Sequence, residues 1–164
     1  MIENLKQLVR ESAQSTIVQN EDIPNGQNEA AIEAASGSIF NTLKDQLTSG
    51  NLGNLADTFR GENLEGSAIV QQASAAFVTK LSDMGVNPES AQNIASSVIP
   101  GIINKFVNKT NDPNDSSFSL SDIVNSISGP DGKFQLSDLT NLLGGHKNDG
   151  NGGGLIDKIK GFFG

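Results

Sequence analysis

Between Asn87 and Val107 the chain reads "NPESAQNIASSVIPGIINKFV", with apolar residues at Ile94, Val98, Ile99, Ile102, Ile103, Phe106 and Val107. Side chains three and four apart share one face of an α-helix, so this spacing predicts a helix with an apolar face too wide for a surface position. The stretch therefore predicts the centre of the fold. Asn87 and Pro88 mark its start, because Asn accepts from the free N–H groups of a first turn and Pro lacks a donor that would be unpaired there. Pro100 predicts a kink or a split, since a mid-helix proline loses one backbone bond and crowds the preceding turn.

The same period recurs along most of the chain, and no segment alternates at period two for long enough to suggest a strand. Ile2, Leu5 and Val9 begin a first amphipathic helix predicted to reach roughly Val18, followed by the loop "QNEDIPNG". Ile32, Ala35, Ile39, Leu43 and Leu47 stripe a second helix ended by Gly50, in which "AASGS" at 34–38 removes bulk and predicts the close approach of another helix. Leu52, Leu55 and Phe59 fit a short helix stopped by Gly61, and Ile69, Ala73, Phe77, Leu81 and Met84 fit another that terminates at Gly85.

With 164 residues the chain suits one domain. It has no Cys, which removes disulfides, thiolate metal sites and a cysteine nucleophile. The start, "MIENLKQLVRESAQ", lacks the basic and apolar regions of a secretory signal, and no run is long enough to predict a membrane span. The net charge of -8 divides unevenly: 7 Lys/Arg against 12 Asp/Glu in residues 1–110, 1 against 5 in 111–145, and 3 against 2 in 146–164. An acidic body repels nucleic acid and anionic lipid, because phosphate binding needs clustered Lys and Arg.

Beyond "NDPNDSS" the chain repeats itself. "DSSFSLSDIVNSIS" from Asp115 and "DGKFQLSDLTNLLG" from Asp131 match at a spacing of 16 residues. The second copy resembles the exit half of a calcium-binding EF-hand, whose loop needs oxygen ligands at positions 1, 3 and 5, Gly at 6, an apolar residue at 8 and a bidentate Glu at 12. With Gly132 at position 6, Asp131 and Asp138 fall at 5 and 12, but Ile127 and Gly129 occupy 1 and 3. In the first copy Asn111, Asp115 and Asp122 fall at 1, 5 and 12, with Pro113 at 3 and Ser116 in place of Gly. What both copies share is better read as helix starting. Ser119 with Asp122 three residues on has capping-box spacing, Phe118 and Ile123 are placed as a hydrophobic staple, and Phe134 and Leu139 repeat the staple. A weak calcium site on Asn111, Asp115, Asp122, Asp131 and Asp138 is the alternative.

Other motifs carry less. "LSDMGVNPESAQNIASSVIPG" has helix-turn-helix layout, but its second helix offers Gln92 and Asn93 with no base for phosphates, so two core helices joined by a turn are expected. The single His146 sits in a Gly-rich stretch with nothing to orient it. "GENLEGS" at 61–67 lacks the Lys of a phosphate loop, and no catalytic or cofactor motif occurs.

The tail has the sharpest functional signature. Leu155, Ile156, Ile159, Phe162 and Phe163 share one face of a predicted helix, with Asp157, Lys158 and Lys160 opposite. They follow "GGHKNDGNGGG", in which 6 of 11 residues are Gly. So short a helix is unstable alone in water and needs a surface to fold against. That surface is its own domain, a groove on a partner or neighbouring copy, or, weakly, a membrane interface.

Residues 1 to about 125, most sharply "VIPGIINKFVNKTNDPNDSSF" and "IPNGQNEAAIEAASGSI", resemble the Bacteroidetes branch of the YidB-like bacterial proteins of unknown function. In that group a helical body is followed by a Gly-rich tail with Leu and Phe, which "GGGLIDKIKGFFG" resembles. The resemblance implies no catalytic residues, and the second repeat copy departs from the group's pattern.

These readings predict an all-α multihelical array of about seven helices: a body at 1–110, two short capped helices at 111–145, a Gly-rich linker at 146–154 and an amphipathic tail peptide at 155–164. The expected function is a non-enzymatic, cytoplasmic interaction or scaffold protein with no cofactor. Its tail docks on a protein partner, another copy or a membrane surface, and it binds no nucleic acid.

Overall fold

The structure is a computed structural model and describes residues 2–128. Within them the protein is all-α, with α1 (Ile2–Ser12), α2 (Asn28–Thr48), α3 (Leu52–Phe59), α4 (Ala68–Asp83), α5 (Pro88–Asn111) and α6 (Leu120–Ser128). The second repeat unit, the 146–154 linker and the 155–164 tail lie outside the described residues.

Four helices close a ring. α1 packs on α2, α2 on α4, α4 on α5, and α5 returns to α1. α3 touches α2, α4 and α5, and α6 lies on α2. The buried apolar residues form one continuous cluster that includes Phe118, Ile123 and Val124 from beyond residue 110. All seven apolar residues that marked α5 are buried in it.

α5 departs from expectation in two ways. Of the kink or split predicted at Pro100, the split does not occur, and the chain stays helical from 88 to 111. A lost bond and crowded turn cost about 3 kcal/mol, whereas each fully buried large apolar side chain returns about 1.5–3 kcal/mol, so the flanking Ile99, Ile102 and Ile103 hold the helix together. It also keeps one face in water, where Gln92, Asn93, Ser96, Ser97, Gly101, Asn104 and Asn108 are exposed.

The first helix does not run uniformly to Val18. It is α-helical to Ser12 and then takes a π turn over Gln14–Val18, in which the Gln19 N–H donates to the Gln14 carbonyl at 3.0 Å. Its buried residues Leu5, Val9, Ala13 and Ile17 recur every four residues. On a helix of about 3.6 residues per turn that spacing drifts by roughly 40° per step, and a wider turn brings Ile17 back over the core.

The stops fall where glycine predicts them. Gly50, Gly61 and Gly85 have φ of 76, 75 and 89°. At Gly85 the Val86 N–H donates to the Leu81 carbonyl and the Gly85 N–H to the Ser82 carbonyl, both at 3.0 Å. This double bond pattern satisfies carbonyls that a helix end leaves free and requires a left-handed residue. The starts hold as well, since Asn87 Oδ1 accepts from the Glu89 N–H at 2.9 Å ahead of Pro88.

The small residues of "AASGS" are buried except at the glycine. Ala34, Ala35, Ser36 and Ser38 are buried, and the two hydroxyls donate back to the Ile32 and Ala34 carbonyls at 2.9 and 2.7 Å. Among the described residues a methyl group on Gly37 would meet nothing within 4 Å.

A pair of substitutions separates glycine as a cap from glycine as a weak point. Gly85→Ala forces a side chain into left-handed backbone and is expected to cost about 1–2 kcal/mol. Gly101→Ala, in an exposed helix interior where a methyl meets nothing, is expected to gain about 0.5–1 kcal/mol. Urea unfolding of both variants measures the difference.

Candidate functional site

Where α5 ends, the chain doubles back as a strap over residues 112–119 before entering α6. Two carboxylates shape the strap from within: Asp112 Oδ1 accepts from the Asn114 N–H at 2.8 Å and Asp115 Oδ1 from the Ser117 N–H at 2.9 Å. Such short-range bonds are why Asp and Asn favour turns over helix interiors.

Three contacts fasten the strap to the body. Lys109 Nζ donates to Asp115 Oδ2 at 2.7 Å, with Asp115 only 19% exposed. Asn4 Nδ2, on α1, donates to the Ser117 carbonyl at 2.7 Å. Phe118 is buried edge-on against Phe106, with ring centroids 5.1 Å apart and planes at 85°. The favoured helix-start reading is realised here, since the Asp122 N–H donates to Ser119 Oγ at 3.1 Å and Phe118 and Ile123 are both buried.

Between the strap and α1 lies a cleft of about 130 Å³ lined by Asn4, Gln7, Leu8, Glu11, Lys109, Ser117 and Phe118. The α1 residues fall at i, i+3, i+4 and i+7, one stripe of that helix. The floor, Leu8 and Phe118, is nearly covered at 3% and 2% exposure. The rim bonds to itself: Gln7 Nε2 donates to Glu11 Oε1 at 2.8 Å, beside the Asn4 and Lys109 bonds. The arrangement therefore works as a clasp that holds the strap against α1 and α5 ahead of α6.

The clasp is also the electrostatic centre of this end. The Lys109 hydrogen bond, followed by the side-chain and backbone bonds of Ser117, lowers the Asp115 carboxyl to about 2. Lys109 is raised in turn, first by that hydrogen bond, with further help from the charges of Asp115, Glu11 and Asp112. On the far side of α1, Lys6 donates to Glu33 at 2.8 Å and Arg10 to Glu29 at 2.6 Å, fastening α1 to α2.

The candidate calcium ligands meet other partners. Asn111 Nδ2 donates to the Phe59 carbonyl at 2.9 Å, Asp115 serves Lys109, and Asp122 is exposed in the first turn of α6. Among the described residues no group of three or more His, Cys, Asp or Glu side chains could hold a metal ion. Asp131 and Asp138, and the tail residues Leu155, Ile156, Ile159, Phe162 and Phe163, lie outside the described residues. Sequence reasoning passed over Asn4, Gln7, Glu11 and Lys109. The three α1 residues carry a faint signal, a polar stripe beside the buried one, but Lys109 gains its meaning only once the strap folds back.

No family model matches the chain, and no match is found among curated proteins or solved structures.

The clasp predicts an acid limb. Because the folded Asp115 lies below its ordinary 3.8, its contribution to stability is complete above about pH 4 and is lost as pH falls toward 2. Lys109→Met removes the largest cause of that shift, so its unfolding midpoint in urea is expected to vary less with pH across this window than that of the parent protein.

Proposed function

We propose that this protein is a non-enzymatic interaction or scaffold protein whose C-terminal peptide recruits a protein partner or a second copy through Leu155, Ile156, Ile159, Phe162 and Phe163. The observation that carries the reading is the five-residue apolar stripe at helical spacing behind a Gly-rich linker. The body supports it from the other side. The described apolar residues form one continuous core cluster, and the clasp at 109–119 ties the strap to α1 and α5. A stripe of five apolar residues with two Lys adheres only weakly to a membrane, which makes a protein groove the better fit. No helix among the described residues is long and apolar enough to cross a membrane. A cytoplasmic location and membership of the YidB-like group belong to the same proposal.

Deleting residues 146–164 is the direct test. The truncated protein is expected to keep the parent's melting temperature and to lose self-association in sedimentation, or capture of a partner from native lysate. A much lower melting temperature with unchanged association would instead make the tail part of the core.

A further inference from the structure

We infer that Asn25 is a site of self-modification, at which the chain loses a side-chain amide through attack by its own backbone. Asn25–Gly26 is the one Asn-Gly pair among the described residues. Both residues are exposed, in a three-residue 3-10 turn between Pro24 and α2. Gly26 has no side chain of its own to crowd its nitrogen, and a methyl group placed on it would meet nothing within 4 Å. Every other described Asn is followed by a residue with a side chain, such as Glu after Asn20 and Asn28, Asp after Asn111 and Asn114, and Ser after Asn125.

The chemistry needs only water. The Gly26 backbone nitrogen gives up its proton to solvent base and attacks Asn25 Cγ. A nitrogen–Cγ bond forms, the Cγ–Nδ2 bond breaks, and ammonia leaves. Water then opens the five-membered imide at either carbonyl, yielding Asp or isoaspartate at position 25. Nothing is oxidised or reduced. The attack requires Asn25 to leave its helical backbone conformation. Here that means opening one short exposed turn, held at its ends by the Gln27 N–H to Pro24 carbonyl bond at 2.7 Å and by the buried Ile23.

The products differ in consequence. Asp adds a negative charge just ahead of the first residue of α2, the positive end of that helix, where anions are favoured. Isoaspartate inserts an extra carbon into the main chain of the turn that feeds α2, beside the Arg10–Glu29 pair that fastens α1. Ageing at this point therefore converts one population into an acidic, intact form and an acidic form with a loosened α2 entry.

The test incubates the full chain at mildly alkaline and at neutral pH, separates charge forms by ion exchange and maps the peptide around position 25. An acidic form carrying Asp and isoaspartate at 25 is expected, faster at alkaline pH, and slowed by an order of magnitude in Gly26→Ala with no change in melting temperature. The inference is overturned if position 25 keeps its amide while a free peptide of the same sequence loses it, if conversion is confined to the other Asn-Gly pair at 151–152, or if Gly26→Ala ages as fast as the parent.

Discussion

Phe106 is the side chain on which one end of the molecule is built. It lies 5.9 Å from Phe59, the last residue of α3, and 5.1 Å from Phe118 of the strap, centroid to centroid. Tilted and edge-on aromatic pairs of this kind contribute roughly 0.5–1.5 kcal/mol each beyond the area they bury. One residue of α5 thus joins an element that precedes it by some fifty residues to one that follows it. The Asn111 bond to the Phe59 carbonyl repeats the first connection with a polar group one turn further along. Closing long loops costs entropy that grows only slowly with their length, so a few such contacts suffice to hold α3, α5 and the strap in register.

The helices were legible in the sequence because their signals are local. Apolar spacing marked α1 to α5; Gly50, Gly61 and Gly85 marked three ends, and Asn87 and Ser119 marked two starts. At two places a local rule competes with packing. Pro100 opposes a helix by itself, but the isoleucines around it are already committed to the core. The fourfold spacing from Leu5 to Ile17 passes for an ordinary helix until the drift of one face against the core is followed through. The π turn is the solution to that drift.

The clasp was not legible, for a different reason. Lys109 and Asp115 are six residues apart with a helix end between them, a separation at which no helical or strand rule pairs side chains. Asn4 and Ser117 are 113 residues apart. The first contact forms only once the strap folds back, and the second only after the ring of four helices has brought α1 beside the end of α5, so the sequence offers the residues without their meeting.

The clasp also explains what the first repeat unit does with its acids. A carboxylate offers the same lone pairs to a metal or to an ammonium group, and at Asp115 an ammonium already sits at 2.7 Å. For calcium to enter, Lys109 would have to withdraw from the Asp115 carboxylate. Asp122 would also have to reach back from the first turn of α6, where its carboxylate already favours the helix start. The spacing that resembles a metal loop is thus put to use by two neighbours of opposite kind: Lys109, which holds the carboxylate, and Phe106, which holds the phenylalanine three residues on. What remains of the motif is a way to end one helix, turn, and begin the next in a fixed direction.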